Sequence, residues 1–161
     1  MDINKLISKL ENWEDTELAR VLGRLILKLK NDPQNKDLLK YQRAIYDEFQ
    51  KRIDNDFKGD RPEIGVLAIC GYHVGNLGEN KVKRRIILDF IMHNELPKIS
   101  NPNYMNEWGL PNSTKRLKKL ITSLRAFIND KKKFGHKMDK AIREWEEDLK
   151  FIINNFDYLN D

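Results

Sequence analysis

Histidine and cysteine are the residues of this chain most suited to catalysis or metal binding. The three histidines, His73, His93 and His136, are far apart, and none lies in the His-Glu-x-x-His spacing that aims two ring nitrogens at zinc. Cys70 is the single cysteine, and it lies inside the apolar run 66–70, which favours a small core residue over a nucleophile. From these positions we predict no catalytic residue, no metal and no cofactor.

One acidic and basic pattern is similar to the metal site of a magnesium-dependent nuclease. Asp60 is followed by Glu79, Asn80 and Lys81, and in such a site two carboxylates hold Mg²⁺ while a lysine orients the attacking water. That arrangement normally lies on paired strands, whereas residues 76–81 are typical of a turn that enters a helix. Because short acidic-x-basic matches arise readily in a chain with 34% charged residues, a nuclease is only the third functional hypothesis.

Basic residues are concentrated in the middle of the chain. Residues 81–137 carry 14 lysines and arginines against four acidic residues, whereas residues 1–60 balance at 12 each and 138–161 hold three basic against seven acidic. A basic segment of this kind attracts polyanions, although a lysine-rich surface also keeps a protein in solution. The leading hypothesis is a non-catalytic protein that binds DNA or RNA without sequence preference. Seven residues are the predicted phosphate contacts: Lys83, Arg84, Lys115, Lys118, Lys119, Lys132 and Lys133.

The second hypothesis is a protein-interaction adaptor or regulator that uses an amphipathic helix in 2–30 or 137–159. The final segment repeats apolar residues at alternating spacings of four and three, a period typical of a helical seam. Such a seam predicts a homodimer through 137–159, but packing against the preceding helix explains the same spacing and is the interpretation we favour. The repeating residues are Met138, Ile142, Trp145, Leu149, Ile152, Phe156 and Leu159.

Helical periodicity in nearly every segment predicts an all-α, multi-helix bundle with an antiparallel C-terminal helix hairpin. Residues 64–74 are ambiguous: we favour a short buried helix that ends near Gly71, with a strand as the alternative. Residues 95–112 contain three prolines and predict an ordered loop, anchored to the core by Tyr104, Met105, Trp108 and Leu110. The predicted helices cover about 2–12, 15–31, 34–57, 81–93, 113–133 and 137–159.

The clearest break in the chain is 58–62, where Gly59 and Pro62 occur and the charge balance changes. It divides the sequence into an N-terminal helical region, 1–58, and a C-terminal basic helical module, 61–161. No apolar run approaches the roughly 20 residues that cross a bilayer, and the N-terminus lacks the basic-then-apolar order of a signal peptide. We therefore expect a cytoplasmic protein that does not enter a membrane.

Several short motifs follow one another in the second half of the chain: GYHVG at 71–75, RRIIL at 84–88, EWG at 107–109 with Pro111, RL at 116–117 and AIREWEEDL at 141–149. Together they resemble a module of uncharacterised bacterial proteins, sometimes found beside helicase- or nuclease-like regions. The resemblance covers about 63–152 and implies a mobile-element or antiviral-defence context without an assigned activity. It also implies that Tyr72, Trp108 and Trp145 belong to one packed unit.

Overall fold

The computed structural model describes residues 2–55 and 62–156, and every regular element in those ranges is helical. The predicted all-α fold is therefore confirmed for this part of the chain, including the C-terminal hairpin of antiparallel helices, which are joined by a 3-10 segment, Lys132–Met138. The α-helices are α1 Ile3–Ile7, α2 Asp15–Asn31, α3 Lys36–Asn55, α4 Val66–Ile69, α5 Lys81–His93, α6 Pro102–Glu107, α7 Thr114–Lys131 and α8 Asp139–Phe156.

The chain divides into two units of packed residues. Unit 1 contains Met1–Gly71 with Leu96–Met105, and unit 2 contains Tyr72–Glu95 with Asn106–Asp161. The predicted joint near Gly59 lies outside the described residues, as does Leu159, the last of the heptad residues.

Unit 1 is built around α2, which packs against α3 and α4. At the start of α2 the backbone N–H of Glu14 donates to the Glu17 carboxylate at 3.0 Å, so an otherwise unpaired donor is satisfied. The helix ends at Asn31, two residues before Pro33. Its buried stripe consists of Leu18, Ala19, Leu22, Gly23, Leu25, Ile26 and Leu29.

Unit 2 is built from α5, α7 and α8. Asn80 accepts the backbone N–H of Lys83 at 3.0 Å and so begins α5, and Ser113 accepts that of Arg116 at 3.1 Å and so begins α7. On α8 the apolar residues that repeat at heptad spacing include Trp145, Ile152 and Phe156, and all three are buried within the single chain.

For the segments 64–74 and 95–112, the structure confirms one prediction and corrects the other. The favoured short helix in 64–74 is confirmed as α4. The predicted loop in 95–112 is wrong in part, because α6 forms there: Pro102 is its first residue, and Asn101 accepts the backbone N–H of Tyr104 at 2.8 Å. Of the expected anchors, Tyr104 and Trp108 are buried, Met105 is half-buried and Leu110 is exposed.

The predicted first helix, 2–12, is also shorter than expected. The α-helical part ends at Ile7, and a separate 3-10 turn covers Leu10–Asn12. Both pieces still bury an apolar residue, Ile3 in the helix and Leu10 in the turn.

Candidate nucleic-acid interface

One side of α7 is exposed, polar and free of acidic residues over its first four turns. We call this surface the α7 basic face. Its residues are spaced three and four apart, which places them opposite the buried leucines of the helix. No acidic residue occurs between Glu107 and Asp130. The face consists of Lys115, Lys118, Thr122, Arg125 and Asn129.

Lys115 and Lys118 are the predicted contacts that this face brings together. Both side chains are exposed, and neither forms an ion pair within residues 2–55 and 62–156. Arg125, which the sequence reasoning missed, is exposed and equally without an ion-pair partner among those residues. The signal for Arg125 was its position seven residues after Lys118, two helical turns along the same face.

Lys119 lies beside the face but is committed to a contact inside unit 2. Its side chain is only 20% exposed, and its Nζ lies 2.5 Å from a carboxylate oxygen of Glu107. The same ammonium is 5.8 Å from the centre of the Trp108 ring, a cation–π distance. Lys119 therefore holds the chain before α7 in place and is less available to a phosphate than Lys115 or Lys118.

Lys132 and Lys133 follow α7 directly in the chain and keep exposed side chains. Lys132 Nζ lies 3.7 Å from Glu146, and Lys133 Nζ lies 2.8 Å from Asp130. Hydrogen bonds from Lys133 and from Lys131 lower the pKa of the Asp130 carboxyl. Because exposed ion pairs are weak, these two lysines can exchange their carboxylate partners for phosphates.

Lys83 is on α5 rather than on the α7 basic face. Its ammonium lies 3.5 Å from Glu79, one turn earlier in the chain, and about half of its side chain is exposed. Because Lys83 lies on a different helix from Lys115 and Lys118, we regard it as a separate charge.

Arg84 requires a correction, because its guanidinium is not on the surface. The residue is 2% exposed, and its Nε donates to Asp148 at 2.7 Å while a terminal nitrogen donates to the Glu79 carbonyl at 3.0 Å. A phosphate cannot reach a side chain buried and paired in this way. The helical spacing already indicated burial, since position 84 falls on the same face of α5 as the buried Ile87 and Ile91.

Arg84 belongs to a buried polar cluster that joins α5, α8 and the segment before α5. The Tyr72 hydroxyl donates to the same Asp148 oxygen at 2.7 Å, and Glu144 lies 3.5 Å from Arg84 while accepting the Gly75 backbone N–H at 2.6 Å. Burial raises the pKa of the Tyr72 hydroxyl, and the Asp148 carboxylate raises it further. Burial alone would lower the pKa of Arg84, but the Asp148 hydrogen bond and charge raise it above its ordinary value.

Arg116 is the second buried arginine of unit 2, and it fixes where α7 begins. Its guanidinium donates to the backbone carbonyls of Trp108 at 2.8 Å, Gly109 at 2.9 Å and Asn94 at 3.0 Å, and to that of Ile91. Two of these carbonyls belong to the end of α5, where a positive charge is favourable. Arg116 thereby anchors the first turn of α7, from which Lys115 and Lys118 project.

The nuclease-like residues do not form a metal site in the part of the chain that the structure describes. Asp60 lies outside it, Glu79 faces Lys83, and Lys81 Nζ lies 3.2 Å from Glu147. That contact with Lys81 lowers the pKa of the Glu147 carboxyl. Within residues 2–55 and 62–156 no group of three His, Cys, Asp or Glu side chains is placed to hold a metal ion.

The tryptophans and tyrosine singled out by the motif resemblance, Tyr72, Trp108 and Trp145, are all buried in unit 2.

None of the described helices combines the length and apolar character needed to cross a membrane. Comparison with known proteins adds no relative: no family model matches the chain, and no curated protein or solved structure is significantly similar to it.

Proposed function

We propose that this protein binds DNA or RNA through the α7 basic face, without sequence preference and without catalysis. The observation that carries the proposal is the row of three exposed cations, Lys115, Lys118 and Arg125, on a helix face without acidic residues. At about 1.5 Å per residue they extend over about 15 Å, which is roughly the axial length of four phosphates on one strand.

The charge types favour phosphates over bases as the ligand. A lysine ammonium is a compact point charge that attracts a phosphate without reading a base edge. Lys132 and Lys133 continue the positive charge beyond the end of α7. We retain Lys83 and Lys119 as weaker contacts, because Lys83 lies on α5 rather than on α7 and Lys119 is held in a part-buried contact with Glu107, and we omit Arg84.

The test is a titration of labelled DNA and RNA by fluorescence anisotropy, from ~50 to ~300 mM salt. In the variant Lys115→Gln/Lys118→Gln, the logarithm of the binding constant should fall less steeply with the logarithm of the salt concentration, by about two units of slope. The change should be equal for unrelated nucleic-acid sequences. The matched control is Lys28→Gln/Lys36→Gln, which removes two exposed lysines of unit 1 and changes the net charge identically. Salt-indifferent binding, or an equal loss in the control, would overturn the proposal.

The second candidate is the protein-interaction adaptor, supported by one feature of unit 2. Leu77 is fully exposed, and Val82, five residues later, is also exposed. The apolar faces of α2 and α8, by contrast, are already covered within their own units. A protein partner would therefore be expected to contact Leu77 and Val82, and Leu77→Ser/Val82→Ser should abolish its binding while leaving nucleic-acid affinity unchanged.

A further inference from the structure

An aromatic side chain lies exposed in the segment that directly follows the basic helix α7. Phe134 is in the 3-10 segment Lys132–Met138 and is 55% exposed. The next residue, Gly135, has φ 67° and ψ −155°, which turns the chain toward α8. A Cβ at Gly135 would meet no atom within 4 Å, so the surroundings of this turn are open.

Four lysines lie within three residues of Phe134 in the chain: Lys131, Lys132, Lys133 and Lys137. Lys131 Nζ lies 5.1 Å from the ring centre, and the side chains of Lys132 and Lys133 are 58% and 65% exposed. Lys137 is exposed and has no ion-pair partner among the described residues. A single exposed apolar residue is ordinary on a protein surface. A ring with four lysines within three residues in the chain, directly after the helix that carries the α7 basic face, has the composition of a stacking platform.

Stacking of this kind distinguishes single strands from duplexes. An unpaired base can lie flat on an aromatic ring while neighbouring cations hold the phosphates on either side, whereas the bases of a duplex are stacked on each other and cannot. Any base offers such a flat face, so the contact is tolerant of sequence.

We propose that Phe134 stacks on an unpaired nucleobase, with Lys132, Lys133 and Lys137 holding the adjacent phosphates, so that the protein prefers single-stranded over double-stranded nucleic acid. This inference rests on the proposed nucleic-acid function and names its substrate class. The α7 basic face supplies affinity for either form, and Phe134 supplies the preference between them.

The experiment compares a labelled thymidine strand of about 20 nucleotides with a duplex of similar length. Phe134→Ala should weaken single-strand binding between about fivefold and a hundredfold, which corresponds to the loss of one stacked base, and should leave duplex affinity unchanged. Phe134→Trp should retain the preference, whereas Phe134→Leu, which is apolar but not flat, should lose it. Leu77→Ala, which removes another exposed apolar side chain of unit 2, is the control and should change neither affinity.

The outcomes separate the two proposals. If the wild-type chain binds both probes and the binding depends on Lys115 and Lys118, but Phe134→Ala lowers neither affinity or lowers both equally, only the stacking inference is overturned. If Phe134→Leu binds the single strand as well as the wild type does, stacking is also overturned. If the wild-type chain binds neither probe, the proposed function is overturned and the inference with it.

Discussion

At the scale of single residues, unit 2 buries two arginine side chains and satisfies them differently. Arg84 is paired with a carboxylate, Asp148, which is itself fully buried, whereas Arg116 donates to a ring of backbone carbonyls. A charge in the interior is tolerated only when it is paired and its hydrogen bonds are made. Both arginines therefore contribute to the packing of unit 2 and not to its exposed basic surface.

Removal of Asp148 should leave the Arg84 charge buried without its main partner. We expect Asp148→Ala to lower the free energy of unfolding by about 3–5 kcal/mol, measured by urea denaturation followed by circular dichroism. The double variant Arg84→Met/Asp148→Leu should recover much of the loss, because it replaces both charges with apolar groups. Glu147→Ala, which breaks only the exposed contact with Lys81, serves as the comparison and should lower the free energy of unfolding far less. Equal losses in Asp148→Ala and Glu147→Ala would contradict a special role for the buried Arg84–Asp148 pair.

The Tyr72 hydroxyl should make stability depend on pH in the alkaline range. Its raised pKa means that folded Tyr72 keeps its proton after an unfolded tyrosine, with a pKa of 10.0, has begun to lose it. The stabilisation is therefore complete below pH 10.0 and declines as the pH rises above that value. Tyr72→Phe should be about 1.5–3 kcal/mol less stable than the wild type at neutral pH. The difference in free energy of unfolding between the two proteins should become smaller between about pH 10 and 11. Urea denaturation of both proteins across this range is the measurement, and a constant gap would contradict the assignment.

At the scale of elements, the turn after α4 contacts α2 at two glycines. A Cβ at Gly71 would lie 2.7 Å from the Gly23 Cα, and a Cβ at Gly23 would lie 3.0 Å from the Gly71 Cα. Gly71 also has φ +89°, a conformation that costs an L-residue about 1–2 kcal/mol. The two glycines thus allow the backbone of the turn at Gly71 to approach the backbone of α2 more closely than side chains would permit.

Gly71→Ala should consequently cost more than backbone strain alone. Gly135 also has a positive φ but no neighbouring atom within 4 Å, so Gly135→Ala introduces backbone strain without a steric clash. Gly135, with ψ −155°, lies in a region essentially restricted to glycine. We expect Gly135→Ala to lose about 1–3 kcal/mol and Gly71→Ala to lose clearly more, in thermal or urea denaturation. Similar losses in both variants would mean that the contact between Gly71 and Gly23 is unimportant.

At the scale of the whole molecule, the charge is divided between the two units. Unit 2 carries 16 basic against 12 acidic residues, and unit 1 carries 14 against 13. The excess positive charge of the chain therefore belongs mainly to the unit that contains α7. Long-range attraction of a polyanion should depend on this unit and weaken as salt screens it.

The mass of the protein in solution should be that of one chain, 19.1 kDa. The heptad residues Trp145, Ile152 and Phe156, which predicted a possible homodimer through 137–159, are already buried within unit 2. A dimer seam on that face would require these contacts to be broken first. Light scattering coupled to size-exclusion chromatography measures the mass directly, and twice the expected value at micromolar concentration would show that another surface, or a repacked α8, joins two chains.

Helix positions were largely predictable from the sequence because the signals for them are local. The period of apolar residues predicted helices over 81–93 and 113–133, and the structure has α5 at Lys81–His93 and α7 at Thr114–Lys131. The short helix α6 was missed because three prolines suggested a loop, although the Asn101-Pro102 pair is itself a signal for a helix start. Capping and periodicity act over a few residues, so a linear reading can detect them.

The exposure of each cation depends on contacts between helices, which the order of residues alone does not reveal. Lys115, Lys119 and Arg84 are all basic residues near the start of a helix, yet one is exposed, one is held by Glu107 and one is buried against Asp148. The partner of Lys119 is 12 residues away in the chain and that of Arg84 is 64 residues away, so a local sequence pattern does not identify either partner. Local periodicity predicted most of the helices and the positive charge that they carry. Packing between helices sets which of those charges face solvent, because burial and pairing depend on residues distant in sequence.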